Sequence, residues 1–171
     1  MNRDATQLGP TRGGAAGPTK DASLPPPDDE PPSACQRSAL NVEVNNRQDA
    51  LPVDVDALAT AVREVLWQAG IRRADVSLAV VDNAEIRIHN ARYLQHDYAT
   101  DTLSFLLEHR GDYLEGQLIV SVEMAAQQAG KYGWQADDEL MLYVIHAALH
   151  LVGYDDHAPE DAAEMRRQEQ R

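Results

Sequence analysis

The stretch of sequence on which the predicted fold depends lies near the carboxyl end of the chain and reads His146-Ala147-Ala148-Leu149-His150-Leu151-Val152-Gly153-Tyr154-Asp155-Asp156-His157. Apolar residues recur before and through it at helical spacing, namely Leu140, Val144, Ala147, Ala148 and Leu151. The acidic residues at 137–139 suit the positive end of a helix macrodipole, and Gly153 suits a helix stop. The pattern predicts a helix that buries one face and is followed by a chain reversal.

The two histidines of this helix lie four residues apart, which places them about 40° apart around the helix axis. Their imidazoles can therefore converge on one ion, and neutral imidazole is a good ligand for zinc and other divalent transition metals. We predict a metal site made by His146, His150 and a third ligand from the following loop, which offers Asp155, Asp156 and His157. Three protein ligands leave one position open, which is typical of catalytic zinc.

The residue after the first histidine argues against one class of enzyme. Zinc proteases with the pattern His-Glu-x-x-His carry their general base at this position, which is Ala147 in this chain. Peptide hydrolysis of that kind therefore lacks its base. Phosphodiester hydrolysis stays open, because a metal ion can activate water by itself.

Further elements are predicted from alternation, helical spacing, caps and turn residues. In chain order they are a strand at Leu40–Val44, a helix from Asp54 to Gly70, a strand at Asp75–Val81, a helix from Asp82 to about Tyr93, strands at Thr102–Leu107 and Leu118–Val122, a helix at Glu123–Ala129 that breaks at 130–133 and, after the histidine helix, a last helix from Pro159 to about Arg167. The order β-α-β-α-β-β-α-α-α predicts a single α+β domain. We expect a small mixed sheet packed with helices, with the metal site on a C-terminal helix and its following loop.

The prolines divide the chain of 171 residues into a tail and a body. Seven of the nine prolines lie between Pro10 and Pro32, and residues 1–37 contain almost no large apolar side chain. Such a segment buries too little surface to offset its ordering entropy. We therefore predict a disordered, proline-rich N-terminal tail at 1–37 and a folded domain at 38–171.

The chain is strongly acidic, with a formal net charge of −13 that belongs almost entirely to the body. This charge argues against a protein that holds nucleic acid by bulk positive charge. The longest uninterrupted apolar run, Leu140–Ile145, is far shorter than the roughly 20 residues of a membrane span. The first 30 residues lack the apolar segment of a secretory signal. We expect a cytoplasmic protein with no membrane partner.

Four blocks of this sequence resemble the YbeY family of bacterial endoribonucleases, which act as rRNA maturation factors. The histidine stretch is similar to the family signature His-Gly-x-Leu-His-Leu-x-Gly-Tyr-Asp-His. Residues 100–105 resemble the family's Thr-Asp-Val-Leu-Ser-Phe block, 116–121 resemble its Gly-Asp-Ile-x-Ile-Ser strand, and Asn90 lies where the family has Leu-Asn. The blocks occur in the family's order and cover roughly 85–160.

The resemblance implies a metal-dependent endoribonuclease domain at 38–171 that is specific for single strands and holds one zinc ion. It implies a role in 16S rRNA 3′-end maturation and ribosome quality control. The expected partners are single-stranded rRNA and a ribosomal particle or ribosomal proteins. Two alternatives stay open: a zinc-containing ribosome-assembly factor that cleaves nothing, and a metal hydrolase of another phosphoester.

The sequence departs from the family pattern at several positions. The family's third histidine stands ten residues after the first, and this register lands on Asp156, with His157 one place later. Both residue types bind zinc, so the third ligand stays open between them. Leu94 stands where the family has an arginine suited to bidentate phosphate binding. Gln117 replaces the family's aspartate in the strand block.

Because the body is acidic, we expect contacts to RNA to be local. They would involve the metal and a few basic residues such as Arg87, Arg92 or Arg110. Weak binding to free RNA, with a shallow dependence on salt, follows from so few phosphate contacts.

Overall fold

The helices and strands follow the predicted order. A computed structural model describes residues 39–169, which contain β1 Leu40–Asn46, α1 Val55–Gln68, β2 Arg73–Val81, α2 Asn83–Leu94, β3 Thr102–Arg110, β4 Tyr113–Ser121, α3 Val122–Tyr132, α4 Ala136–Leu151 and α5 Pro159–Glu169. The predicted α+β class is confirmed. The predicted tail at 1–37 lies outside the described residues. Within the described range, no helix is both long and apolar enough to cross a bilayer.

The four strands of this range form one mixed sheet in the order β1-β2-β4-β3. β2 pairs in parallel with β1 on one side and with β4 on the other, whereas β3 pairs antiparallel with β4. Parallel neighbours need a crossover connection. The α1 helix provides it between β1 and β2, and α2 together with β3 provides it between β2 and β4. The small mixed sheet expected from the sequence is therefore present.

The two faces of the sheet are covered unequally. The main core lies between one face and α1, α3 and α4, and the predicted apolar face of α4 is buried there. On the opposite face, Ile86 of α2 packs against a smaller cluster formed by Val81, Leu103 and Ile119. No helix of residues 39–169 covers the rest of this second face, and Gln117 is exposed on it.

All four strands extend beyond their predicted limits, and β3 and β4 do so by the most residues. β4 begins at Tyr113 because its first residues pair on both sides, with β2 and with β3, although the polar residues around Gly116 hide the strand pattern. β3 continues to Arg110 through an irregularity between Leu106 and Glu108. The sequence pattern missed both extensions because they depend on neighbouring strands rather than on local alternation.

Gly116 allows α4 to approach the sheet closely. A Cβ atom at Gly116 would lie 2.5 Å from Cδ1 of Leu151 and 3.1 Å from the carbonyl oxygen of Phe105. Leu151 is almost fully buried and directly follows His150. This contact therefore sets how close the histidine end of α4 lies to β4.

We expect Gly116→Ala to lower the free energy of unfolding by about 1–3 kcal/mol, the range found when a packed core is overfilled. The buried Leu151 side chain has to move to make room for the new methyl group. Gly130→Ala is the matched control, because Gly130 lies inside α3 with no atom within 4 Å of the added Cβ. Alanine there should leave stability unchanged or raise it by up to about 1 kcal/mol. Urea unfolding of the full chain measures both variants, and equal stability of Gly116→Ala and the wild type would contradict this packing.

Candidate metal centre

The α4 helix presents its two histidines on one half-buried face. The side chains of His146 and His150 are 24% and 27% exposed. Their Nε2 atoms lie 3.1 Å apart, and the ring centroids are 4.7 Å apart with the planes nearly perpendicular. The four-residue spacing thus brings the two rings together as predicted, with no break in the helix.

The other nitrogen of each ring is held by a hydrogen-bond acceptor. Nδ1–H of His146 donates to Oε1 of Glu169 at 2.8 Å, and Nδ1–H of His150 donates to the backbone oxygen of Tyr154 at 3.0 Å. A carbonyl oxygen can only accept, and so can an ionised carboxylate. These contacts assign the proton of each neutral ring to Nδ1, so both Nε2 atoms carry lone pairs.

The converging lone pairs make a site for a cation. Two bare imidazole nitrogens 3.1 Å apart repel each other unless a proton or a metal ion lies between them. Nitrogen ligands about 2.0–2.1 Å from a tetrahedral zinc ion lie roughly 3.3–3.4 Å apart, close to the distance observed. The pair therefore fits a metal ion without a change in the helix.

The loop after α4 returns a carboxylate to this pair. Gly153 adopts a left-handed conformation with φ of 100°, which reverses the chain, and its amide donates to the carbonyl oxygen of His150 at 3.0 Å. Asp156 then lies with Oδ2 3.8 Å from Nε2 of His146 and Oδ1 3.9 Å from Nε2 of His150. One ligand atom from each of these three residues lies within 4.8 Å of the others. The arrangement offers two nitrogens and one oxygen to a single ion.

The other candidate ligand lies outside this group. His157 is 86% exposed, and its Nδ1 makes a short hydrogen bond to the Asp155 carboxylate and lies 4.0 Å from Oδ1 of Asp156. The hydrogen bond to Asp155 raises the pKa of His157, and the same bond lowers the pKa of Asp155. His157 thus belongs to an exposed cluster with Asp155 and Asp156 rather than to the helical pair.

One feature of the centre, and one buried residue elsewhere on α4, were not identified from the sequence. Glu169 lies 23 residues from His146 on another helix, so no spacing pattern connects them. Tyr143 is buried, and desolvation, with the nearby carboxylates of Asp101 and Glu139, raises its pKa to about 12. Its phenol is therefore neutral at physiological pH. Glu139, Tyr143 and the two histidines repeat at helical spacing along one face of α4, a signal that the sequence did carry.

The basic residues expected to contact RNA are mostly engaged with other side chains. Arg87 makes two hydrogen bonds to the Asp97 carboxylate, at 2.7 and 2.9 Å, and Arg110 pairs with Glu108. The guanidinium of Arg92 lies 5.4 Å from the ring centroid of Tyr93. These pairings further reduce the positive potential that an RNA backbone would meet.

The loop before β3 is fixed by an amide from α2. Asn90 is buried, and its Nδ2 donates to the carbonyl oxygen of Tyr98 at 2.9 Å. Oδ1 of Asp101 accepts from the Thr100 hydroxyl at 3.0 Å and from the amide of Thr102 at 2.8 Å. These bonds place the carboxylate of Asp101 beside α4. At the end of α2, the side chain of Leu94 is exposed.

We expect Glu169→Ala to weaken zinc affinity by roughly 10–100-fold, because His146 loses the acceptor that orients its ring. Glu169→Gln should give an intermediate affinity, since its amide oxygen still accepts the hydrogen bond. Glu160→Ala, on the exposed side of the same helix, is the matched control. Competition with a fluorescent zinc chelator measures the affinities. An unchanged dissociation constant for Glu169→Ala would contradict this positioning role.

We also expect Asp156→Ala to weaken zinc binding far more than His157→Ala, because the Asp156 carboxylate lies beside both Nε2 atoms and His157 does not. The same chelator competition compares the two variants. A larger loss for His157→Ala would show that the loop rearranges to supply an imidazole in place of the carboxylate.

Comparisons with known proteins identify the relatives of this chain. The family model described as Endoribonuclease YbeY matches residues 43–171. The chain is 42% identical over 114 residues to Endoribonuclease YbeY of Rhodopirellula baltica, an alignment that covers 66% of this chain and 59% of that protein. It is 38% identical to Endoribonuclease YbeY of Alkaliphilus oremlandii, over 77% of this chain and 93% of that protein. The solution structure of TM1509 from Thermotoga maritima has a similar fold, with a TM-score of 0.53 and 22% identity over 75% of this chain and 87% of that one. The chain belongs to the YbeY endoribonuclease family.

Proposed function

We propose that this protein is a zinc-dependent endoribonuclease specific for single strands, with one zinc ion held by His146, His150 and Asp156. The observation that carries the proposal is the convergence of two imidazole lone pairs, 3.1 Å apart, beside a carboxylate. Family membership supplies the class of substrate, because the relatives are named endoribonucleases. The geometry supplies the means of holding the ion.

The chemistry assigns a separate task to each group of the centre. A bound zinc ion supplies Lewis acidity toward water and phosphoryl oxygen. Glu169 and the carbonyl oxygen of Tyr154 keep both imidazoles in the tautomer that has a free Nε2. Asp156 adds a negative ligand from the solvent side, where its side chain is 45% exposed. Because only three side chains of residues 39–169 converge there, a coordination position stays open for substrate.

We propose rRNA as the substrate, with a role in 16S rRNA 3′-end maturation and ribosome quality control in the cytoplasm. A chain with a net charge of −13 attracts free RNA poorly. The pairing of Arg87 and Arg110 with carboxylates leaves still less positive charge for phosphates. A ribosomal particle or ribosomal protein that presents the strand would remove the need for strong binding to free RNA.

A second candidate function is a ribosome-assembly factor that holds zinc and cleaves nothing. The observation that favours it is Leu94, which is exposed at the end of α2 at the position where the family pattern has an arginine. Without that arginine, a bidentate contact to phosphate is lost. Peptide hydrolysis has no such support, because Ala147 is fully buried in the core and offers no base.

Cleavage of a single-stranded RNA and of a duplex of the same sequence by the purified full chain tests the proposal. We expect the single strand to be cut, the chelator-treated protein to be inactive, and zinc to restore activity. The double variant His146→Ala/His150→Ala should lose both zinc and cleavage, because both converging nitrogens are removed. His109→Ala, at an exposed histidine on β3, is the matched control and should keep both.

Chelator-insensitive cleavage, or stoichiometric zinc in the double variant, would contradict the proposal. A zinc-loaded protein that cuts neither free RNA nor rRNA in ribosomal particles would instead support the assembly factor. Cleavage of a small phosphodiester but of no RNA would indicate a hydrolase of another phosphoester.

A further inference from the structure

A depression of about 450 Å³ lies on the open face of the sheet, opposite the face that packs against α4. Its floor crosses three strands, because Asn45 pairs with Ala79, which pairs with Ile119, and Ser77 pairs with Gln117 in the adjacent row. His89 of α2 forms part of the wall. The floor thus combines a small apolar area with amide and hydroxyl groups.

The polar groups of this depression have unused hydrogen-bonding capacity. The side chains of Ser77 and Gln117 make no hydrogen bond to another residue within 39–169. Both side chains can therefore bond a ligand without giving up a bond within this range. The depression therefore favours a ligand with several donors and acceptors.

The charges around the depression favour a neutral ligand group over a phosphate. None of its lining residues is acidic, although the chain carries a net charge of −13. Its one lining guanidinium, on Arg47, is already paired with Oε1 of Glu85 at 2.9 Å, and Nε2 of His89 lies 3.7 Å from the same oxygen. An anion would have to compete with that carboxylate.

A row of aromatic rings continues from the wall of the depression. His89 lies parallel to Tyr93, with the ring centroids 6.1 Å apart, and Tyr93 is tilted against Phe105 at 5.2 Å. Phe105 is the strand neighbour of Gln117, so the rings border the polar floor. Tyr93 is 53% exposed, so part of its ring is open to a ligand, and the Arg92 guanidinium lies 5.4 Å from the ring centroid. Exposed aromatic rings beside a groove are the usual stacking platform for unpaired bases.

We propose that this depression binds a nucleobase of a single-stranded RNA, with Ser77 and Gln117 bonding the base edge, His89 forming part of the wall and Tyr93 stacking on a neighbouring base. The inference rests on the proposed function and adds a binding subsite on the sheet face opposite the histidine pair. Stacking and neutral hydrogen bonds depend little on salt, so an acidic chain can use them where it cannot use phosphate contacts.

Binding of fluorescein-labelled oligouridylate, oligoadenylate and oligocytidylate to the full zinc-loaded chain tests the proposal by fluorescence anisotropy, with electrophoresis of each strand before and after the measurement so that only uncut strands are compared. Ser77→Ala/Gln117→Ala should weaken binding of the preferred strand by about fivefold or more, as the loss of two hydrogen bonds predicts. The matched control is Asn41→Ala, which lies on the same sheet face but outside this depression. If the double variant does not fold, Gln117→Ala alone, at an exposed position, provides the test.

The stacking role of Tyr93 is tested with a pair of variants. Tyr93→Ala should weaken binding by about fivefold or more, whereas Tyr93→Phe, which keeps the ring, should bind as the wild type does. Equal binding by Tyr93→Ala, or by the double variant, would overturn the proposal.

Two further ligands show whether the depression binds the bases or the backbone of the strand, and whether it prefers a strand to free nucleotides. An abasic strand of equal length should bind more weakly than the base-containing strand, and equal binding would overturn the proposal in favour of backbone contacts. If free mononucleotides displace the strand at a concentration similar to that of the strand, the occupant is not an RNA strand, and the proposal is overturned. The zinc content of the wild type and its cleavage of RNA test the proposed function. The ratio of variant to wild-type binding constants tests the depression. The proposed function and the nucleobase site can therefore fail separately.

Discussion

The rest of the site depends on one interaction, the approach of two imidazole lone pairs to 3.1 Å. Such an approach is unfavourable without a cation, so the chain must hold both rings in place. It does so through the Nδ1 atoms, which donate to Glu169 and to the carbonyl oxygen of Tyr154. The acceptors come from a different helix and from the loop after α4, so the centre forms only when the whole C-terminal region has folded.

Small residues in and beside α4 and one reversal of the chain direction after α4 position the histidines and the loop. Ala147 and Ala148 are fully buried beside the sheet, and Gly116 leaves room for Leu151, so α4 lies close to β4. Gly153 then turns the chain so that the loop returns to the histidines. These small residues bring the helix close to the sheet, and Ala147 offers no base next to His146.

The sequence predicted the order of the elements and the histidine pair because both depend on local spacing. It did not separate Asp156 from His157, because the path of a loop after a glycine depends on contacts that local patterns do not encode; the structure places Asp156 beside both Nε2 atoms. It also did not identify Glu169, whose role depends on how α5 packs. The start of β4 at Tyr113 was missed for the same reason, since its pairing partners lie far away in the chain.

Diffraction at the zinc absorption edge from crystals of the zinc-loaded protein tests the identity and position of the ligands most directly. We predict one strong anomalous peak, from a zinc ion coordinated by Nε2 of His146, Nε2 of His150 and a carboxylate oxygen of Asp156. A peak held by Asp155 and His157 away from α4, or the absence of a peak beside the histidine pair, would contradict the account.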